Sequence, residues 1–268
     1  MKKLIGAAVG PLLSLFVLAA GPGTASAHTT AELSDFRKTE GKFALEESKK
    51  CADPKSVKSD TFKAGGVTVN YVYETADKNK AKLVTAIKDA IAAIEKAGFK
   101  LPAKIDFVLS TKDGVRNVAF MGDEAGNRKA TVFLGPQALT VTPPHVGPKG
   151  VADQIPNAKK GFAVTLHELG HVAHELLDEQ GFWTLKDPKV QNVPPGAAAD
   201  VSAYAAQNKL EFVAETFTAV LVSPKKYPQE VFDAYDTLHG PSTVAFKKLE
   251  AAKVEKPKAP VKAPVKKK

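Results

Sequence analysis

The spacing of apolar residues along this 268-residue chain predicts a strand-rich first half and a helical second half. In VTVNYVYE (67–74) apolar and polar residues alternate, which is typical of a strand with one buried face, and KIDFVLS (104–110) reads similarly. Between them, over 77–97, apolar residues recur at helical spacing until Gly98 ends the run. The apolar face of that helix consists of Leu83, Ile87, Ile91 and Ile94. The sequence therefore predicts a β-α-β unit.

A hairpin is predicted to follow this unit. Its strands are VRNVAFM (115–121) and KATVFL (129–134), and its turn lies at 122–127. The next stretch, 135–160, is rich in proline and glycine, contains His145 and is predicted as a loop.

Helical spacing dominates the rest of the chain. Long helices are predicted over about 161–179 and 206–222, with a Gly/Pro-rich loop reaching Ala198 between them. The second long helix has an apolar face formed by Leu210, Val213, Phe217 and Val220. Two shorter helices are predicted near 228–238 and 242–252. Strands followed by helices predict an α+β fold.

The first 27 residues are predicted to be a signal peptide. Two lysines precede an apolar run at 4–20, and the small-residue cleavage signature Ala25-Ser26-Ala27 follows. A membrane anchor is the alternative, but Gly10-Pro11 interrupts the run. We therefore expect the mature protein to begin at His28 and to be secreted.

Charge is concentrated at the ends of the chain. The net charge is +9, of which the seven lysines and single glutamate of residues 252–268 contribute +6 and Lys2 and Lys3 contribute +2. The remaining segment is nearly neutral, so nothing favours nucleic-acid binding. The Lys/Pro/Ala tail is predicted to be disordered. It is either a solubilising end or an electrostatic contact with cell wall or another anionic surface.

Residues 28–60 are polar and weakly patterned, with a helix predicted around Thr29–Ser48. Cys51 is the only cysteine, so no disulfide can form within the chain. It is either a buried thiol or a thiolate that blocks a metal site from a pro-segment.

Two histidines and a glutamate give the first long helix its chemistry. The segment LHELGHVAHELL (166–177) contains His167 and His171 four residues apart, so both rings can reach one ion. Glu168 lies beside that ion, where it can take a proton from a bound water. This pattern, H-E-x-x-H, predicts a zinc site. Gly170 in mid-helix indicates that something approaches the helix closely there.

A catalytic zinc site also needs a third protein ligand and a position open to water. His174 lies about 10 Å further along the axis than His167, so we interpret it as a second-shell or packing residue. Glu211 and Glu215, four residues apart on the second long helix, are better candidates. If the two helices pack together, one glutamate can complete the zinc sphere and the other can orient an imidazole.

Two blocks of sequence resemble a known family. HELGH (167–171) and YAAQNKLEFVAETF (204–217) are similar to the catalytic domain of anthrax lethal factor and its relatives, which include secreted clostridial proteases that cut between prolines. The resemblance covers two short blocks within 162–222. Val213 stands where the family often has an aromatic residue, and His174 is an addition.

The resemblance implies a zincin-like catalytic domain over 61–251 that holds one Zn²⁺ and acts on protein or peptide substrates. It implies that Glu211 is the third ligand, that Glu215 is the outer-shell carboxylate and that Glu168 is the general base. It also implies that the hydroxyl of Tyr204 supports the tetrahedral intermediate. Catalytic residues Glu168 and Tyr204 would then act beside ligands His167, His171 and Glu211.

Two further expectations depend on this reading. We predict that the strand KATVFL (129–134) is the edge that holds an extended peptide by β-augmentation. The alternative function is a catalytically inactive zinc-binding protein attached to the envelope through the lysine tail. Such proteins commonly lack the general base, whereas Glu168 is present.

Overall fold

The chain folds around one mixed β-sheet. The computed structural model describes residues 28–51, 57–74, 78–111, 115–124, 127–136, 138, 160–187, 190, 192–223 and 225–255. Within these residues the strands are β1 (Val57–Ala64), β2 (Val67–Glu74), β3 (Lys104–Leu109), β4 (Val118–Glu124) and β5 (Asn127–Leu134). The helices are α1 (Thr30–Cys51), α2 (Lys80–Lys96), α3 (Lys160–Leu177), α4 (Glu179–Leu185), α5 (Pro195–Val201), α6 (Lys209–Val222), α7 (Gln229–Thr237) and α8 (Val244–Lys253).

The strands lie in the order β1-β2-β3-β5-β4. The two central pairings, β2 with β3 and β3 with β5, are parallel, whereas β1 with β2 and β4 with β5 are antiparallel hairpins. The parallel pair β2-β3 is joined through α2, as the predicted β-α-β unit requires. The α+β prediction is thereby confirmed.

The main core lies on one face of the sheet. Alternate residues of the central strands, such as Val69, Phe107 and Val132, are fully buried there against α2, α3 and α6. The opposite face has a smaller cluster around Val115 and Phe133, against which α1 packs.

Helix α1 approaches the sheet very closely at one point. A Cβ atom added to Gly122 of β4 would lie 2.5 Å from the backbone nitrogen of Gly41 in α1, so only glycine fits. The helix predicted around Thr29–Ser48 is therefore present and packs on the sheet. The side chain of Cys51 lies outside the described part of the structure, so the predictions about its role stay predictions.

Two secondary-structure elements extend across predicted boundaries. Strand β1 begins at Val57, so the domain start predicted at 61 falls inside a strand. Polar, mostly exposed side chains hide β1 from pattern analysis. The tail predicted to begin at 252 is helical as far as Lys253, and Val254 then pairs with Tyr227.

The strand KATVFL is not an edge. It lies within β5, which has β3 on one side and β4 on the other, so β4 is the edge strand. The predicted loop from 180 to Ala198 contains two short helices instead. Asp178 starts α4 by accepting a hydrogen bond from the backbone N–H of Gly181, and Pro195 starts α5 at its first helical position.

Most of the Pro/Gly-rich stretch 135–160, including His145, lies outside the described residues, as do residues 1–27 and 256–268. The signal-peptide prediction and most of the tail prediction therefore stay untested. None of the described helices combines the length and apolar content needed to cross a membrane.

Candidate metal centre

The centre forms where α3 and α6 cross. A Cβ atom added to Gly170 of α3 would lie 3.1 Å from the ring of Phe217 and 3.7 Å from the Cα of Ala214, both in α6. The close approach inferred from Gly170 is therefore the approach of α6. It brings the histidines of α3 and the glutamates of α6 to one place.

Three side chains converge on a single point. The Nε2 of His167 lies 2.9 Å from Glu211 Oε2 and 3.2 Å from His171 Nε2. The distance from His171 Nε2 to Glu211 Oε2 is 3.5 Å. His167, His171 and Glu211 thus form a group that can hold a metal ion.

Glu215 approaches His167 from the other side of its ring. The Nδ1–H of His167 donates to Glu215 Oε1 at 2.9 Å. Burial by itself lowers the pKa of His167, but hydrogen bonds to Glu211 and Glu215 outweigh it and raise that pKa well above its usual value. Each ring nitrogen of His167 thus faces a carboxylate, Nε2 that of Glu211 and Nδ1 that of Glu215. A metal cation can replace the proton on Nε2 while Glu215 keeps the one on Nδ1.

Glu168 follows His167 directly and is 5% exposed. Burial raises the pKa of its carboxyl, although His167 and His171 oppose the shift. A carboxylate of raised basicity is suited to accepting a proton from water near neutral pH.

Tyr204 lies in the turn before α6. Its ring centroid is 5.5 Å from that of His167. Burial, followed by the charges of Glu211 and Glu168, raises the pKa of its hydroxyl, so the phenol stays protonated and can donate.

The start of α6 is fixed by the polar contacts of two side chains, which pattern analysis does not reveal. The side chain of Asn208 accepts a hydrogen bond from the backbone N–H of Glu211. The Nζ of Lys209, which is 6% exposed, donates to the carbonyl oxygens of Asp187 and Val190. These contacts hold the first turn of α6, and with it Glu211, in place.

His174 packs away from His167, His171 and Glu211. It is 1% exposed, its ring is 5.4 Å from that of Phe182, and no hydrogen bond joins it to His167, His171 or Glu211. The sequence allowed His174 either a second-shell or a packing role, and these contacts are those of a packing residue.

The buried His174 is expected to make folding stability fall in acid. Burial lowers its pKa to about 3 from an ordinary value of 6.5. Between these values the unfolded chain binds the extra proton, so stability present above pH 6.5 is lost as pH falls. The loss by pH 5 is about 2 kcal/mol.

Urea unfolding of wild type and His174→Leu at pH 7 and pH 5 measures this loss. Wild type should lose about 2 kcal/mol more than the variant between the two pH values. His167, His171 and Glu211 are common to both proteins, so their titration cancels in the comparison. Equal losses would contradict the assignment to His174.

Comparison of the chain with protein-family models and with curated proteins gives no match.

Proposed function

We propose that the protein is a secreted, zinc-dependent metalloendopeptidase with a zincin-like domain. The observation that carries the proposal is the convergence of two imidazole nitrogens and one carboxylate oxygen beside the buried Glu168. Two imidazoles and one carboxylate are an established donor set for catalytic zinc, with a fourth position left for water.

The spacing of the donor atoms supports zinc as the ion. Around a tetrahedral zinc with bonds of about 2.0–2.1 Å, neighbouring donor atoms lie about 3.3–3.4 Å apart. The three distances between donors here, 2.9, 3.2 and 3.5 Å, are close to that value. Little movement of His167, His171 or Glu211 is needed to accept the ion.

The H-E-x-x-H pattern and the resemblance suggest a role for each of the chain's own groups. His167, His171 and Glu211 would hold the zinc, which supplies a Lewis acid that activates water and polarises the scissile carbonyl. Glu168 accepts the proton of the attacking water and passes it to the leaving amine. The hydroxyl of Tyr204 donates to the oxygen that becomes negative during attack.

A peptide substrate is supported by the sheet as well as by the resemblance to the lethal-factor family. Strand β4 is at the edge of the sheet and lies against α3, which carries Glu168. An extended peptide can add to such an edge through main-chain hydrogen bonds.

Cleavage of a peptide library by the purified protein, with and without a chelator, tests the proposal. We expect cleavage that the chelator stops and that added zinc restores. Uptake of one zinc per chain without any cleavage would favour the inactive zinc-binding alternative. Failure to take up zinc would reject both.

Tyr204→Phe tests the role of the hydroxyl separately. Loss of one donor to a developing oxyanion costs about 2.7–4 kcal/mol, so kcat should fall about 10²–10³-fold. KM and zinc content should change little, because the ring still packs beside His167. A kcat close to that of wild type would remove Tyr204 from the mechanism.

A further inference from the structure

Charged side chains surround the C-terminal end of α3, beyond the metal ligands. Glu175 lies one helical turn after His171 and is 3% exposed. Its Oε1 accepts a hydrogen bond from Nη2 of Arg128 at 3.2 Å. Because Arg128 belongs to β5, this contact ties the helix that carries both histidines to the sheet.

The cluster continues from Arg128 to α1. The same Nη2 lies 3.5 Å from Oε1 of Glu179, the first residue of α4. Arg37 of α1 donates to both oxygens of Glu179, at 2.5 Å each. Although burial opposes it, Arg37 and Arg128 lower the pKa of Glu179, which therefore stays charged. Four elements meet at this cluster.

We propose that Glu175 and Arg128 are positioning residues for the metal centre. Their contact fixes the rotation of α3 about its axis and hence the direction in which His167 and His171 face Glu211. This inference rests on the proposed function, because it assumes that the three ligands bind zinc.

The geometry of a helix explains why rotation matters. Side-chain atoms lie about 5–6 Å from the helix axis, so a rotation of about 10° moves an imidazole nitrogen by about 1 Å. Metal–ligand distances tolerate only about 0.2 Å. His171 and Glu175 are four residues apart and share a face of α3, so a rotation that breaks the Arg128 contact also displaces the His171 ring.

The protonation of Glu175 determines which substitution is informative. Burial, with a further contribution from Glu40, raises its pKa to about 8, against the opposing charges of Lys186 and Arg128. Near neutral pH the Glu175 side chain is therefore largely the neutral acid. Its Oε1 still accepts the hydrogen bond from Nη2 of Arg128. A glutamine amide can take its place, whereas leucine cannot.

Zinc affinity of the full-length protein, measured at pH 7 by competition with a chromophoric chelator, tests the inference. Glu175→Leu and Arg128→Gln should bind zinc about tenfold more weakly, at the lower end of the loss known for outer-shell partners. Glu175→Gln should stay within about threefold of wild type, since it keeps the acceptor.

Lys129→Gln is the matched control. Lys129 is the next residue of β5 and forms an ion pair of 2.9 Å with Asp106 of β3, on the other face of the sheet. Its loss removes a half-buried ion pair from the same strand without touching α3. Zinc affinity should then stay within about twofold of wild type, because the ligands keep their positions.

The possible results separate the two proposals. Wild type that binds no zinc would reject the proposed function. If Glu175→Leu and Arg128→Gln bind zinc as tightly as wild type does, the positioning role is overturned. This holds even if both variants have a lower melting temperature. If these variants do not fold, Arg128→Lys decides. The lysine side chain is shorter and does not carry a donor to the position of Nη2, which contacts both Glu175 and Glu179, so weakened zinc binding is expected and unchanged binding overturns the inference.

Discussion

Glu168→Gln is expected to lower kcat/KM by about 10²–10⁴-fold while leaving zinc bound, because in the proposed mechanism it removes the general base and no ligand. The glutamine amide has nearly the shape of the carboxyl it replaces, but it cannot accept the proton of the attacking water. Burial raises the pKa of the Glu168 carboxyl, so this position favours a neutral group. The neutral amide should therefore lower the folding stability little. Parallel measurement of kcat/KM on a cleaved peptide and of zinc per chain checks both parts.

The matched control for Glu168 is Glu250→Gln. It makes the same substitution at a similarly buried glutamate of α8. This control should keep most of its activity. Full hydrolysis by a clean preparation of Glu168→Gln would reject Glu168 as the base and leave the proton transfer to another group. Loss of zinc would show instead that the carboxylate supports the ion.

The helices that form the centre were predictable because their signals are local. Apolar spacing predicted α3 and α6, and the H-E-x-x-H pattern fixed the two histidines on one face of α3. Gly170 indicated a close neighbour, which proved to be α6. Spacing alone could not decide between Glu211 and Glu215. The crossing of the helices favours Glu211, because Glu211 faces both Nε2 atoms, whereas Glu215 contacts Nδ1 of His167.

Features that depend on distant or weakly patterned residues could not be predicted. Strand β1 has polar side chains because most of its residues are exposed, so alternation is weak there. The contacts of Arg128 with Glu175 and of Arg37 with Glu179 join residues 47 and 142 positions apart. Ionisable side chains are common along any chain, and only the folded arrangement shows that these four lie together with most of their surface out of solvent.

The second large effect is expected for Glu211→Ala, which should weaken zinc binding by more than about 100-fold. Loss of an outer-shell partner alone costs about 10–100-fold, and Glu211 would supply one of the three protein donors found among the described residues. The fold should persist, because His167 keeps its hydrogen bond to Glu215 and the α3–α6 contact at Gly170 involves no atom of Glu211.

Two controls define the result for Glu211. Glu230→Ala removes an exposed glutamate from the first turn of α7 and should bind zinc as wild type does. Glu215→Gln should lie between the two, since its amide oxygen still accepts from Nδ1 of His167 and only the charge is lost. Chelator competition measures the zinc affinities, which should decrease from Glu230→Ala to Glu215→Gln to Glu211→Ala. Far-ultraviolet circular dichroism verifies that each variant is folded. If Glu211→Ala is folded and has a full zinc content, the third ligand must be another residue. Two imidazoles on one turn of α3 cannot hold the ion as tightly as three donors do.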